Sequence, residues 1–182
     1  MNQDTENFLQ TWKRKISAIE GDGLGDVFNR YTSLYILYNR LYNDSFRELK
    51  NSNRLNKSRY SDFEKATTLV VQYNSAHDII ASLTANDNLG DIDVIADLLR
   101  KDIFRINLAD GVSQKNADLK LLSNLINADV NIKAHAVVST IYNVRNNMQH
   151  GEKHFEERQK LLLEPLGRLL QAIVNLQVEK LT

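Results

Sequence analysis

Helix breakers are scarce in this chain, with one proline (Pro165) and seven glycines among 182 residues. Proline lacks a backbone donor, and glycine in a helix interior costs about 1 kcal/mol relative to alanine. A sequence poor in both can sustain long helices. Strict alternation of apolar and polar residues is nearly absent, whereas apolar spacings of three and four recur throughout. The expectation is an all-α fold: an up-and-down bundle of about six or seven helices, forming a single domain over residues 1–182.

Taken in order, apolar residues Phe8, Leu9, Trp12, Ile16 and Ile19 place a first helix at about Thr5 to Ile19. The cluster Gly21-Asp22-Gly23-Leu24-Gly25 reads as a turn, because no strand precedes it and no Lys-Ser/Thr follows, as a phosphate-binding loop requires. A second helix, about Asp26 to Leu49, carries Phe28, Tyr31, Leu34, Tyr35, Tyr38, Leu41 and Tyr42 on one broad face. Tyrosine rings pack while their hydroxyls need partners, so this face suits a core or, alternatively, a subunit interface. Ser61-Asp62-Phe63-Glu64 has the form of a capping box and starts a third helix running to about Thr84. Asp91 or Asp93 opens a fourth, where acidic residues favour a positive helix N-terminus. The segment Asn107 to Asn116, with Asp110-Gly111, reads as a loop. A short helix from Ala117 to about Asn127 follows. Asp129 or Asn131 then caps a helix carrying Ile132, Ala136, Val137, Thr140, Ile141 and Val144. In the last helix Leu162, Leu166, Leu169, Ile173 and Leu176 form a heptad-like seam, with Pro165 as a kink or a new first turn.

Charge and composition remove several function classes. Lys plus Arg and Asp plus Glu both number 23, giving a formal net charge of zero, so contact with nucleic acid must be local rather than a basic coat. The absence of cysteine removes disulfides, thiolate metal sites and a cysteine nucleophile. The polar, acidic N-terminus does not resemble a signal peptide, and no apolar run approaches the roughly 18 residues of a membrane span. The expectation is a cytoplasmic protein with no membrane contact.

The chemistry concentrates in Val144-Arg145-Asn146-Asn147-Met148-Gln149-His150-Gly151. Histidine exchanges protons near neutral pH, and arginine offers a planar, permanently charged fork suited to phosphate oxygens. In a helix Asn146 and His150 lie four apart and share a face. Arg and His without a metal suit attack by a neighbouring hydroxyl on a phosphodiester, and RNA carries that hydroxyl itself. By spacing alone the stretch also fits a polar helix end. His154, four residues beyond His150, has the spacing of a metal-binding pair, with Glu152 or Glu156 as further ligands; a bystander in a charged loop is the simpler reading, and no metal or other cofactor is expected. Elsewhere, Lys50, Arg54, Lys57 and Arg59 form a basic run that suits either a phosphate backbone or a solvated loop. His77 and the adjacent Asp78 point about 100° apart on a helix and do not form a pair.

The run Asn143 to Lys153 resembles the motif of the HEPN superfamily, an Arg followed by a polar residue, commonly Asn, and a His four to six positions after the Arg. Gly151-Glu152-Lys153 after it is also usual there. The second helix, with Tyr31-x-x-Leu34-Tyr35-Ile36-Leu37-Tyr38-Asn39-x-Leu41-Tyr42, is similar to the aromatic early helix of the same superfamily. The resemblance spans about Phe28 to Leu181. It implies a HEPN-like helical bundle that forms a homodimer with both motifs facing one cleft. It further implies a metal-independent endoribonuclease leaving a 2′,3′-cyclic phosphate, in a toxin or antiviral role, with RNA as substrate and an antitoxin protein as a candidate partner. On that resemblance Arg145 stabilises the phosphorane, Asn146 positions groups, and His150 is the general acid or base. Lys50, Arg54, Lys57, Arg59, Lys153 and Arg158 are the candidates for holding the RNA backbone. The alternative implied by other members is a catalytically silent module that binds RNA, a nucleotide or a protein. Some toxin members carry a modifiable Tyr two positions after the His; this chain has Glu152 there and departs from that pattern.

Overall fold

The computed structural model describes residues 3–109, 111–149 and 156–182, with the backbone alone for Gln149. The fold is an all-α helical bundle with one small hairpin. Its helices are α1 (Gln3–Ser17), α2 (Leu24–Asn51), α3 (Asp62–Glu64), α4 (Val70–Asn74), α5 (Ala76–Ala85), α6 (Leu89–Arg100), α7 (Lys115–Leu125), α8 (Val130–Gln149) and α9 (Lys160–Leu181). A π-helical segment, Lys65–Leu69, joins α3 to α4, and a short 3-10 turn, Glu157–Gln159, leads into α9.

The two longest helices form the spine, since α2 packs along α9 more extensively than any other pair of elements. The seam foreseen in α9 is buried at Leu162, Leu166, Leu169, Ile173 and Leu176. Pro165 lies inside α9 and is itself buried. The helical donor it lacks would have served the carbonyl of Leu161, a residue that is 53% exposed, so water can take its place. The tyrosine face of α2 belongs to the core rather than to an interface: Tyr31, Tyr35, Tyr38 and Tyr42 are all buried. Three of the four hydroxyls find acceptors. Tyr31 donates to the Ile141 carbonyl (2.8 Å) and Tyr42 to Asp62 Oδ1 (2.8 Å), while Tyr38 donates to the carbonyl of Ala66. That last acceptor lies in the π segment, where the Val70 N–H reaches Thr67 O. A carbonyl of the π segment thus satisfies a buried hydroxyl.

Two sequence expectations need correction. The third helix is not continuous to Thr84. Ser61 does cap α3 through a full capping box with Glu64, but the helix breaks at Ser75, whose φ is 65°. The Ser75 hydroxyl then accepts the Asp78 N–H and caps α5, which turns away to pack against α8 and α9. The segment after α6 is also not wholly irregular. Strands β1 (Leu108–Ala109) and β2 (Val112–Ser113) pair antiparallel, and Gly111 supplies the positive φ of 76° that their turn needs. Asp110 lies outside the described residues.

Polar ties fix the helices at three places. Asp44 of α2 gathers Thr5, Arg40 and Arg47. Asp91, in the first turn of α6, is not simply a dipole partner: its buried carboxylate takes a two-pronged contact from Arg168 of α9, with 2.6 Å from Nη2 to Oδ1 and 3.0 Å from Nε to Oδ2. Lys180 reaches Asp78 at 2.7 Å. Among the described residues no helix is long and apolar enough to cross a membrane.

Candidate functional site

The motif stretch ends α8. Asp129 caps this helix, its Oδ1 accepting from the backbone N–H of Asn131 (2.7 Å) and Ile132 (3.3 Å). Small and branched residues, Ala134, Ala136, Val137, Val138, Ile141 and Val144, bury α8 around much of its circumference. Its rotation is therefore fixed before the polar residues of the last two turns begin. His150, Gly151, Glu152, Lys153 and His154 lie outside the described residues, so the predicted sharing of a helix face by Asn146 and His150 rests on the sequence.

Arg145 is half-buried beside the tyrosine helix. Its Cζ stands 4.8 Å from the centroid of the Tyr35 ring, a cation–π distance. The guanidinium lines a cavity of about 210 Å³ with Phe28, Tyr31, Tyr35, Asn39 and Met148. Nη1 donates to the Asn146 side-chain oxygen at 3.1 Å, which places the first two predicted site residues together. Among the described residues the buried Arg145 Nε has no acceptor, and the buried Tyr35 hydroxyl likewise has no partner. Arg145 joins no ion pair among the described residues. The nearby phenols cannot serve as counter-ions. Burial raises the pKa of Tyr31, Tyr35 and Tyr42, and the Arg145 charge opposes this without overcoming it, so all three stay neutral. The result is a half-buried cation whose charge no described group neutralises.

The other asparagines of the stretch have structural work. Asn147 is 5% exposed and donates from Nδ2 to the Ile106 carbonyl at 2.8 Å. Asn143 donates to Asn107 Oδ1 at 2.9 Å. Asn107 is held in turn by Asp118 of α7, whose Oδ1 accepts from the backbone N–H of Ile106 and Asn107 and from Asn107 Nδ2. These contacts tie the strand-leading segment to α7 and α8. Nothing in the local sequence announces them, because each joins residues more than ten positions apart.

The basic run is less free than its composition suggests. Lys57 pairs with Glu64 and lies over the Tyr60 ring, and that pairing with the capping box lowers the Glu64 pKa to about 2. Arg54 reaches the Gln72 carbonyl at 3.4 Å. Lys50 and Arg59 are exposed, and none of the four lines the Arg145 cavity. Arg158 pairs with Glu156 at 2.7 Å. His77 is exposed, in keeping with a surface role. Among the described residues no group of three or more His, Asp or Glu side chains is arranged to hold a metal.

Compared with protein-family models, with curated proteins and with solved structures, the chain has no match.

Proposed function

We propose that this chain is a metal-independent endoribonuclease of HEPN type, acting as a homodimer in a toxin or defence role. The observation that carries the reading is the Arg145 guanidinium: half-buried, open to a cavity, and without a carboxylate partner among the described residues. Arg168, by contrast, is neutralised by the Asp91 carboxylate. An unpaired arginine against a neutral aromatic wall suits an anion that arrives with the substrate, and the fork geometry suits phosphate oxygens. Asn146, bonded to Arg145, orients that fork.

In the reaction the 2′-oxygen of RNA attacks the adjacent phosphorus and gives up its proton. The bond from phosphorus to the 5′-oxygen breaks, and that oxygen gains a proton. The products are a 2′,3′-cyclic phosphate and a 5′-hydroxyl. His150 is assigned the proton transfers, and Arg145 the charge that grows on the equatorial oxygens. One base and one acid are required, which two copies of the motif in one dimer cleft supply.

The test is cleavage of RNA by the purified protein in EDTA, with products mapped for a cyclic phosphate end. Removal of general acid–base catalysis should cost about 10²- to 10⁴-fold in His150→Ala, and Arg145→Met should be similarly impaired. Cleavage by both variants at the rate of the unaltered protein would sink the proposal. Binding without any cleavage by the unaltered protein would favour the silent module instead.

A further inference from the structure

A second concavity borders α8 and shares no lining residue with the Arg145 cavity. It has a volume of about 260 Å³ and lies between α7, α8, the Asn107 segment and Phe63 of α3. Asn143 lines it, two residues before Arg145. Two residues are about 200° around a helix axis, so groove and cavity occupy nearly opposite flanks of the same turns.

The lining has an unusual chemistry. His135, Ser139 and Asn143 follow one another at intervals of four along α8, and Asn124 of α7 joins them. His135, Ser139 and Asn124 form no side-chain hydrogen bond with another described residue. Asn143 is held through its Nδ2 by the Asn107–Asp118 chain, which leaves its oxygen as an acceptor in a fixed place. Burial lowers the His135 pKa, so the imidazole is neutral at pH 7 and offers one donor and one acceptor. Among the described residues no carboxylate lines the groove, and its one cation is the exposed Lys120. Phe63 is 41% exposed, and its ring is steadied by an edge contact with Tyr142 at 5.2 Å between centroids.

Ligand classes can be eliminated on this lining. A metal ion would want carboxylates, and a bare anion would want more than one cation. A purely apolar ligand would strand three or four amide and hydroxyl groups. The aromatic Phe63, the row of amide, hydroxyl and imidazole groups and the single Lys120 together suit an uncharged planar ring with donors and acceptors along its edge, joined to a phosphate. The volume lies below the roughly 300 Å³ at which pockets for drug-sized ligands begin, which fits one ring system. We propose that this groove binds a single unpaired nucleobase, stacked on Phe63 and read along its edge by Asn124, Ser139, His135 and Asn143. Stacking plus edge recognition is how single-stranded RNA is bound sequence-specifically. The base can belong to an RNA strand or to a free nucleotide; its assignment to the substrate rests on the ribonuclease reading above.

The experiment uses fluorescein-labelled 2′-O-methyl hexanucleotides of A, C, G or U, which lack the nucleophilic hydroxyl and cannot be cleaved. Anisotropy titrations compare the unaltered chain with Phe63→Ala, Asn124→Ala and Arg145→Met, each checked for its melting temperature. Mononucleotides serve as competitors. The unaltered chain should prefer one base. Phe63→Ala should weaken binding of every oligomer about tenfold or more, the order expected for losing one base stack. Asn124→Ala should flatten the preference. Tight binding of mononucleotides with no gain for hexamers assigns the groove to a free nucleotide. Hexamer affinities unchanged in both groove variants overturn the proposal, as does the absence of any binding by oligomers and mononucleotides. Base-selective binding without cleavage of natural RNA leaves the groove standing and removes the ribonuclease. Arg145-dependent cleavage with unaltered groove variants does the reverse.

Discussion

Replacing Arg145 by Met separates a guanidinium kept for chemistry from one kept for stability. Among the described residues its buried Nε has no acceptor, and relieving an unsatisfied buried donor is worth roughly 1–3 kcal/mol. Against this, the substitution loses the contact with Tyr35 at 4.8 Å, about 0.5–2 kcal/mol. It also loses the hydrogen bond to Asn146, about 0.5–1.5 kcal/mol. Methionine is flexible and fills an aromatic-lined space readily. The opposing contributions cancel to within about 1 kcal/mol. Asn147→Leu, two residues further along α8, provides the contrast. It leaves the Ile106 carbonyl without the amide donor it has at 2.8 Å, a loss of roughly 1–3 kcal/mol. The assay is urea unfolding followed by circular dichroism. With a slope of about 1–3 kcal/mol/M, a 2 kcal/mol loss moves the midpoint by about 1 M. Arg145→Met should leave the midpoint nearly in place while abolishing cleavage. If it falls as far as Asn147→Leu at equal slope, the guanidinium is a structural group and the argument for a phosphate site collapses.

Two further outcomes follow from the polar interior. Burial holds the His135 pKa below its ordinary value of 6.5, so the unfolded chain takes up that proton first; stability present above pH 6.5 is lost as pH falls through the folded value. His135→Gln should reduce the drop in urea midpoint between pH 7.5 and 5.5, and an identical drop in both proteins would show that another group sets it. A double-mutant cycle on Asp91→Ala and Arg168→Ala should give a coupling of about 1 kcal/mol, because the Arg168 side chain is 54% exposed to screening. A coupling indistinguishable from zero would mean that α6 and α9 are held by packing alone.

The helices were legible because their cause is local. Apolar spacing in α2, α8 and α9 reports directly on burial, and Ser61 and Asp129 advertise their caps within three residues. What escaped were the arrangements that depend on distant partners. Asn74-Ser75, with Asp78 three residues on, carries a cap signal, but it sits inside an unbroken apolar period that masks it; the positive φ of Ser75 splits the third helix there so that α5 can reach α8 and α9. Asp91 was legible as an N-terminal acid but not as the partner of Arg168, which lies 77 residues away. The candidate site divides the same way. Arg145 and Asn146 stand out by type and spacing, whereas the role of Tyr35 as the wall behind the cation comes only from the folded packing of α2 on α8. Asn143 and Asn147 look like members of a polar motif in sequence, and prove to be pins for the segment after α6.

The close wrapping of α8 has a consequence for how chains of this kind can change length. Inserting or deleting one residue between Ala136 and Asn143 would turn everything beyond it by about 100°. Arg145 would leave the Tyr35 ring, and Asn143 and Asn147 would lose Asn107 and Ile106 in the same event. No single compensating substitution restores three positions on different sides of a rod. The connection from Ser52 to Tyr60 and the turn at Gly111 lie off that rod and can absorb added residues without turning it, whereas α8 tolerates change only as a unit of fixed register.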